Sequence, residues 1–248
     1  RICIEIKKNK LLAIDTETTS INPHLAKLVG ISLSFKENFG YYIPILGLES
    51  EKLLDEKIVY KLLNPILKDA NIIKCGQNIK YDIIVLNNAG YEISGVGFDT
   101  MIAAHLINPA IHEYKLDFLA QQYLGISMMP ITELIGQGKK QITMDQVSVD
   151  KVSFYASEDA EITYSLMNKF QPMLEDERLS EYYKKIDIPL IPILTEMEKD
   201  GVYLNCDFLK KLSIDLEKKL EVSIAEIYLM VGREFNINSP KQLGEILF

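Results

Sequence analysis

The sequence predicts an α/β fold built around a mixed sheet, on three observations. Three short apolar runs, 11–15 (LLAID), 28–35 (LVGISLSF) and 40–46 (GYYIPIL), come before any helical spacing, so neighbouring strands there can pair antiparallel through short turns. A fourth run, 71–75 (NIIKC), follows a helical stretch, which is the order a crossover connection produces. Beyond it the spacing is helical almost to the end.

The elements follow in order. LLAID is short and apolar, the signature of a buried strand. A turn is expected near Asn38-Phe39-Gly40, and Pro44 places the 40–46 strand at or near a sheet edge, where a missing N–H costs least. Residues 51–68 predict a helix with Leu54, Ile58, Leu62 and Leu63 on one side. Gly76-Gln77-Asn78 breaks the chain before a helix from Ile79 to Ala89, which Gly90 stops. Asp99 is expected to cap a helix over TMIAAHLIN that ends before Pro109. Residues 115–124 form another amphipathic stretch, 125–143 read as loop, and 151–174 as a long helix. A boundary is expected near 178–188, dividing 1–178 from 179–248. After it come a helix, an Asp-Gly turn, an amphipathic helix over 206–231 with Leu209, Leu212, Leu216 and Leu220 in one stripe, and a last helix with Ser239 as cap and Pro240 at its first position.

Composition narrows the function classes. Apolar residues make up 48% and charged residues 25% of 248, as in ordinary globular proteins. No apolar run approaches the ~20 residues of a membrane span, so no membrane partner is expected. The chain opens on Arg1 without a signal-peptide pattern and is expected to be a segment of a longer protein. Cys3, Cys75 and Cys206 lie far apart with no CxxC, which argues against a disulfide framework or structural zinc and for a reducing compartment. Three histidines, His24, His105 and His112, form no metal-binding or triad motif. A net charge of −8 argues against gripping duplex DNA by charge alone, but not against holding a short nucleic-acid end through metal ions.

Three segments carry candidate chemistry. Asp15 and Glu17 sit two apart at the end of a strand, so both carboxylates can face one point. Two other D-x-E pairs, Asp159/Glu161 and Asp215/Glu217, lie on helical patterns where such residues diverge. Tyr155 and Asp159 are one helical turn apart, a spacing that lets a phenol and a carboxylate share a water; Tyr183/Asp187 repeats it. Asp82 lies in the first turn of a helix, where the dipole favours a carboxylate. Each feature alone is equally readable as a solvated strand end, a core tyrosine or a dipole partner. Brought together, Asp15, Glu17, Asp82 and Asp159 would repel one another unless cations intervened. Two hard divalent ions with oxygen ligands, Mg²⁺ or Mn²⁺, would resolve the repulsion and make a phosphoryl-transfer site.

AIDTETTSINP, GQNIKYDIIVLNNAG, FDTM and YASEDAEIT, in this order, resemble the tyrosine-bearing branch of the DEDD superfamily of 3′–5′ exonucleases. More closely, they resemble the proofreading domain of bacterial family A DNA polymerases, the DNA polymerase I family. KLDFLAQQYLG, GQGKKQITMDQV, EMEKDGVYLN and NINSPKQLGEILF extend the likeness over nearly the whole chain. The resemblance implies an RNase H-like fold, a mixed five-stranded sheet flanked by helices, followed by a helical segment from the start of a polymerase domain. It implies two divalent ions, with Zn²⁺ an alternative at the tighter site. Asp15, Glu17 and Asp159 match the ligands of the tight ion; Asp15 also bridges to a second, which Asp82 holds through water. Tyr155, with Glu17, matches the group that orients the attacking water. Thr18, Ile21, Gln77, Asn78, Tyr81 and Ile131 match substrate-contacting or wedge positions.

The implied substrate is a frayed single-stranded DNA 3′ end and the implied products are nucleoside 5′-monophosphates. The implied setting is the bacterial cytoplasm, as a monomer with the rest of the polymerase in cis. Two departures stand out. Ile131 replaces a frequent aromatic, weakening stacking on a base, and IHEYK lacks an arginine that some members place before KLDFL. The segments carrying the polymerase carboxylates are absent from these 248 residues, so this chain is not expected to extend primers. An RNA exonuclease of the same superfamily and a catalytically silent module of a polymerase are the competing readings.

Overall fold

A computed structural model describes residues 1–51 and 53–248. Residues Arg1–Asp200 form one compact unit and Gly201–Phe248 another. In the first, α1 (Ile2–Asn9) leads into β1 (Leu11–Thr18), β2 (Leu28–Lys36) and β3 (Phe39–Pro44). Then come α2 (Glu56–Leu67), β4 (Ile73–Gly76), α3 (Ile79–Asn88), β5 (Val96–Asp99) and α4 (Thr100–Ile107). A short α5 (Leu116–Leu119) widens into a π-type turn, and α6 (Thr132–Ile135) precedes the 28-residue α7 (Val149–Asp176). α8 (Ser180–Tyr182) continues through a π-type turn, Tyr183–Asp187, into α9 (Ile188–Asp200). The second unit holds α10 (Cys206–Val231) and α11 (Pro240–Leu247).

The sheet order is β3-β2-β1-β4-β5, antiparallel from β3 to β1 and parallel from β1 to β5. This is the mixed five-stranded sheet that the resemblance implies, with Pro44 on an edge strand. The pleat of β1 sorts its side chains between two cores. Leu12 and Ile14 join Leu63, Ile66, Ile83 and Leu86 of α2 and α3, whereas Ala13 joins Ala103, Ile162, Leu166 and Phe170 of α4 and α7. The same alternation sends Asp15 and Glu17 to the α7 side. β1 pairs with β4 only as far as Ala13↔Cys75, so its outer half meets the start of α3 instead of a strand.

Several sequence expectations shift. Two elements lack a periodic signal: α1, whose I-C-I-E-I alternates like a strand, and β5, with only four residues. The helix expected over 51–68 runs from Glu56, capped by Asp55; Lys52 lies outside the described residues. Its buried face is Val59, Leu63, Ile66 and Leu67, whereas Leu54, Ile58 and Leu62 are exposed. Spacings of 4, 3 and 1 follow a 3.6-residue turn more closely than repeated steps of four. The 125–143 stretch contains α6 and a 3₁₀ turn at Gly138–Lys140. Asp99 caps α4 through Met101 and Ile102, and Ser239 caps α11. Within the second unit, Leu209, Leu212, Leu216 and Leu220 are all exposed. Among the described residues, no helix is long and apolar enough to cross a membrane.

α7 lies close against the β2–β3 hairpin because Gly40 has no side chain. A Cβ there would stand 2.1 Å from the Ser157 carbonyl oxygen of α7, and a helix backbone cannot yield cheaply. Gly40→Ala is therefore expected to destabilise the fold by about 1–3 kcal/mol, read as a lower urea midpoint; an unchanged midpoint would show that α7 is not held this closely.

Candidate active site

Asp15 and Glu17 end β1, opposite Ser32 and Gly30 of β2. Asp159 comes from α7, which crosses the same face. One oxygen from each of these three carboxylates lies within 4.8 Å of the others. Ser32 Oγ donates to Asp15 Oδ2 at 3.2 Å. Asp82, in the first turn of α3, reaches the outer half of β1 from the side that β4 leaves free, and accepts from Thr16 Oγ1 at 2.6 Å. Glu17, Asp82 and Asp159 are 6%, 3% and 9% exposed, while Asp15 is half-buried.

Burial and mutual repulsion dominate the electrostatics. Loss of solvation pushes Asp15 up to about 6, against the Ser32 and Thr16 hydrogen bonds that lower it. Glu17 is raised well above the usual carboxylate range, first by burial and then by the charges of Asp15, Asp159 and Asp82. Asp82 and Asp159 are raised likewise, by burial and then by Asp15. Burial also raises the Tyr155 phenol, helped by Asp159, Glu17 and Asp15, so the hydroxyl stays protonated at neutral pH. Among the described residues, no Lys or Arg forms an ion pair with any of the four carboxylates. Glu17 Oε1 is buried with no hydrogen-bond partner. An all-oxygen donor set, a shared focus and an orphaned buried carboxylate oxygen together fit a hard divalent cation.

Above the carboxylates opens a cleft of about 820 Å³, lined by Asp15, Glu17, Thr18, Ile21, Tyr81, Ile131, Tyr155 and Asp159, among others. Of the sequence-derived candidates, Asp82, Gln77 and Asn78 do not line it. Asp82 meets the cleft lining through Thr16, whose hydroxyl donates to it, and lies close enough to Asp15 to feel its charge. Gln77 uses its amide within the fold: Nε2 donates to the Tyr114 carbonyl at 2.7 Å, and Oε1 lies 2.5 Å from the Thr100 hydroxyl. Asn78 is exposed, with φ 56°. The Tyr81 hydroxyl stands 2.5 Å from Thr18 Oγ1 and donates to the Ser20 carbonyl at 2.5 Å, fixing the wall below Ile21, whose side chain is 97% exposed. Glu158 accepts from the Met129 N–H at 2.9 Å and so tethers the segment that carries Ile131 to α7.

Sequence reasoning missed Thr16, Ser32, Tyr42 and Glu158. The first two occupy alternating strand positions beside the carboxylates, a signal readable only once the β1–β2 register is known. Tyr42 lies across Gly30, whose missing Cβ would fall 2.2 Å from its hydroxyl, and so borders Glu17. The Gly136–Lys140 stretch reaches the cleft at Gly138.

These features make an acidic, cation-fitting cleft at the end of the central strand of a mixed five-stranded sheet. A family model described as 3′-5′ exonuclease matches residues 1–175, and the chain belongs to that 3′–5′ exonuclease family. Among curated relatives, DNA polymerase I of Borreliella burgdorferi is 40% identical over 98% of this chain and 26% of its own length. DNA polymerase I of Pseudomonas aeruginosa is 36% identical over 98% of this chain and 27% of its own. The chain thus spans about a quarter of the length of these relatives. Two solved structures share the fold. The POL domain of Pol1 from M. smegmatis, in complex with DNA primer-template and dNTP, has a TM-score of 0.77 at 19% identity, over 99% of this chain and 39% of that one. Brucella melitensis NrnC with bound Mg²⁺ has a TM-score of 0.61 at 22% identity, over 77% and 86%.

The raised carboxylates make stability depend on pH in a definite direction. A carboxyl whose pKa is higher folded than unfolded is more protonated in the fold. The metal-free protein therefore loses stability as pH rises from the unfolded value near 4 through the folded one, about 6 for Asp15. The rise in Tm caused by Mn²⁺ relative to EDTA is expected to be small at about pH 5 and larger at about pH 7.5. Asp159→Asn, which removes one charge, is expected to raise the metal-free Tm by about 2–4 °C, roughly 1 kcal/mol for a chain of this size. Thermal melts check both; a lower Tm in the Asn variant would contradict the repulsion.

Proposed function

We propose that the chain is a divalent-metal-dependent 3′–5′ exonuclease that trims single-stranded or frayed DNA 3′ ends, as the proofreading module of a DNA polymerase I. The observation that carries the reading is the focus of three carboxylates, two buried and one half-buried, without cationic partners among the described residues, on the floor of an open cleft. Asp15, Glu17 and Asp159 would hold one Mg²⁺ or Mn²⁺, and Asp15 with Asp82 a second. Bound there, the ions supply a polarised water and compensation for the charge that develops on the phosphate.

The chain's own groups do the rest. The Tyr155 hydroxyl, protonated and beside Asp159, orients the attacking water together with Glu17. The water gives up a proton to solvent as its oxygen bonds to phosphorus, the P–O3′ bond breaks, the O3′ of the shortened strand takes up a proton from solvent, and a nucleoside 5′-monophosphate leaves. Ile21 and Ile131, both on the cleft wall, offer the last bases apolar contacts that do not depend on sequence. Thr18, held by Tyr81, would meet the sugar-phosphate on the cleft wall; Asn78, exposed outside the cleft lining, would meet it only beyond that wall, and Gln77 would serve by holding the turn on which Asn78 sits. Residues 179–248 form the start of the polymerase part, a reading supported by the likeness of 98% of the chain to DNA polymerases I.

The test is a gel assay on 5′-labelled single-stranded DNA, and on RNA of the same sequence, with Mg²⁺, Mn²⁺ or EDTA. The parent is expected to give a metal-dependent ladder shortening from the 3′ end, faster on DNA. Asp15→Ala and Asp159→Ala are expected to lose several orders of magnitude; residual cleavage within about tenfold of the parent would sink the assignment. Tyr155→Phe is expected to lose about 10- to 100-fold, the lower range for a positioned proton-handling group. Faster trimming of RNA would move the substrate class, and cleavage in EDTA would overturn the metal requirement.

A further inference from the structure

Among the described residues, Asp99 accepts more hydrogen bonds than any other carboxylate, yet it stands outside the cleft. It is 2% exposed. Its Oδ2 accepts from the Ile79 N–H at 2.8 Å; its Oδ1 accepts from Met101 at 2.9 Å, Ile102 at 3.1 Å and Asn78 at 3.3 Å. Two of these donors begin α4 and two begin α3. A cap for α4 alone needs only the former. The other pair ties the first turn of α3, which carries Tyr81 and Asp82, to the end of β5.

The backbone of Asp99 is itself held. Its N–H donates to the Tyr183 hydroxyl at 2.6 Å, and that hydroxyl donates to the Asp99 carbonyl at 2.9 Å. The Tyr183 ring lies against Phe98, with centroids 5.2 Å apart. Asp82 needs such support because α3 starts abruptly. Asn78 makes no side-chain cap, so the first amides of α3 take no acceptor from their own N-cap side chain and turn to Asp99 instead.

We infer that Asp99, braced by Tyr183, is a positioning residue that sets the start of α3 and thereby places Asp82 for the second of the two metal sites. The inference rests on the two-site reading above, and it separates the sites. The Asp15/Glu17/Asp159 focus is built from β1 and α7, neither of which donates to the Asp99 carboxylate, whereas the Asp82 arm stands on α3, whose first amides do.

Asp99→Ser tests it, because serine is also a good N-cap. It keeps an acceptor for α4 but cannot span to the α3 amides as well. Calorimetric titration with Mn²⁺ alone reads the sites without activity. The parent is expected to show a tight and a weaker class of ion. In Asp99→Ser the tight class is expected to persist while the weaker loses about tenfold or more in affinity, as for removed outer-shell support. The Mn²⁺ concentration for half-maximal cleavage should rise by the same factor. Tyr183→Phe, which keeps the ring and removes one hydroxyl, should shift the weaker class in the same direction by less, and carries the test if Asp99→Ser fails to fold. Equal weakening of both classes, or isotherms superimposable on the parent for folded variants, would overturn the positioning role. A parent that binds no Mn²⁺ would overturn the metal reading itself, and this inference with it.

Discussion

Four carboxylates that repel one another in a poorly solvated place are the constraint on which the rest of this structure depends. Left alone, each would gain by moving apart or by taking up a proton, and the upward shifts of Asp15, Glu17, Asp82 and Asp159 record that tension. The fold holds them together because each stands on a rigid element: two at the end of a central strand, one on a 28-residue helix, one in the first turn of another. The buried, unpartnered oxygen of Glu17 shows where the polypeptide supplies no compensating group. A divalent cation is the natural complement of such a site, since it converts repulsion into coordination.

The sheet register turns this tension into geometry. Because β1 alternates, Leu12 and Ile14 anchor it to α2 and α3, while the odd positions face α7. Because β4 stops pairing at Ala13↔Cys75, the end of β1 stays open on one side for Asp82. Glycines at two of the close approaches, Gly30 under Tyr42 and Gly40 under Ser157, let aromatic and helical layers settle onto the sheet where a methyl group would not fit. The exposed Ile21 and the tethered Ile131 then stand at the wall of a cleft whose floor is acidic.

Much of the site was legible in the sequence. A D-x-E on an apolar run is rare among the chain's three such pairs, and the strand period alone places both carboxylates on one face. Tyr155 and Asp159 follow from helical spacing. Asp82 was legible as a first-turn acid, but its route to the site was not, because that depends on where β4 ends. The fold was less readable where elements are short or their periods misleading. β5 has four residues, α1 alternates like a strand, and Leu54, Ile58 and Leu62 are apolar yet exposed, so the expected buried face of α2 was rotated from the observed one. Gln77, matched to a substrate-contacting position, spends its amide on Tyr114 and Thr100. Tyr183, whose spacing to Asp187 repeats that of Tyr155 and Asp159, is buried against Asp99. No local pattern reveals such contacts, because their partners lie tens of residues away.

The central claim is that the carboxylate cluster holds protons until a cation replaces them. Measuring Mn²⁺ binding calorimetrically at pH 6 in buffers of different ionisation enthalpy counts the protons exchanged. Release of about one proton or more per chain is expected, since Asp15 is pushed up to about 6 and burial raises its three neighbours well above the usual carboxylate range. Binding with no proton release at that pH would mean that the four carboxylates are already ionised in the free protein, and that the repulsion described here is not what the cation relieves.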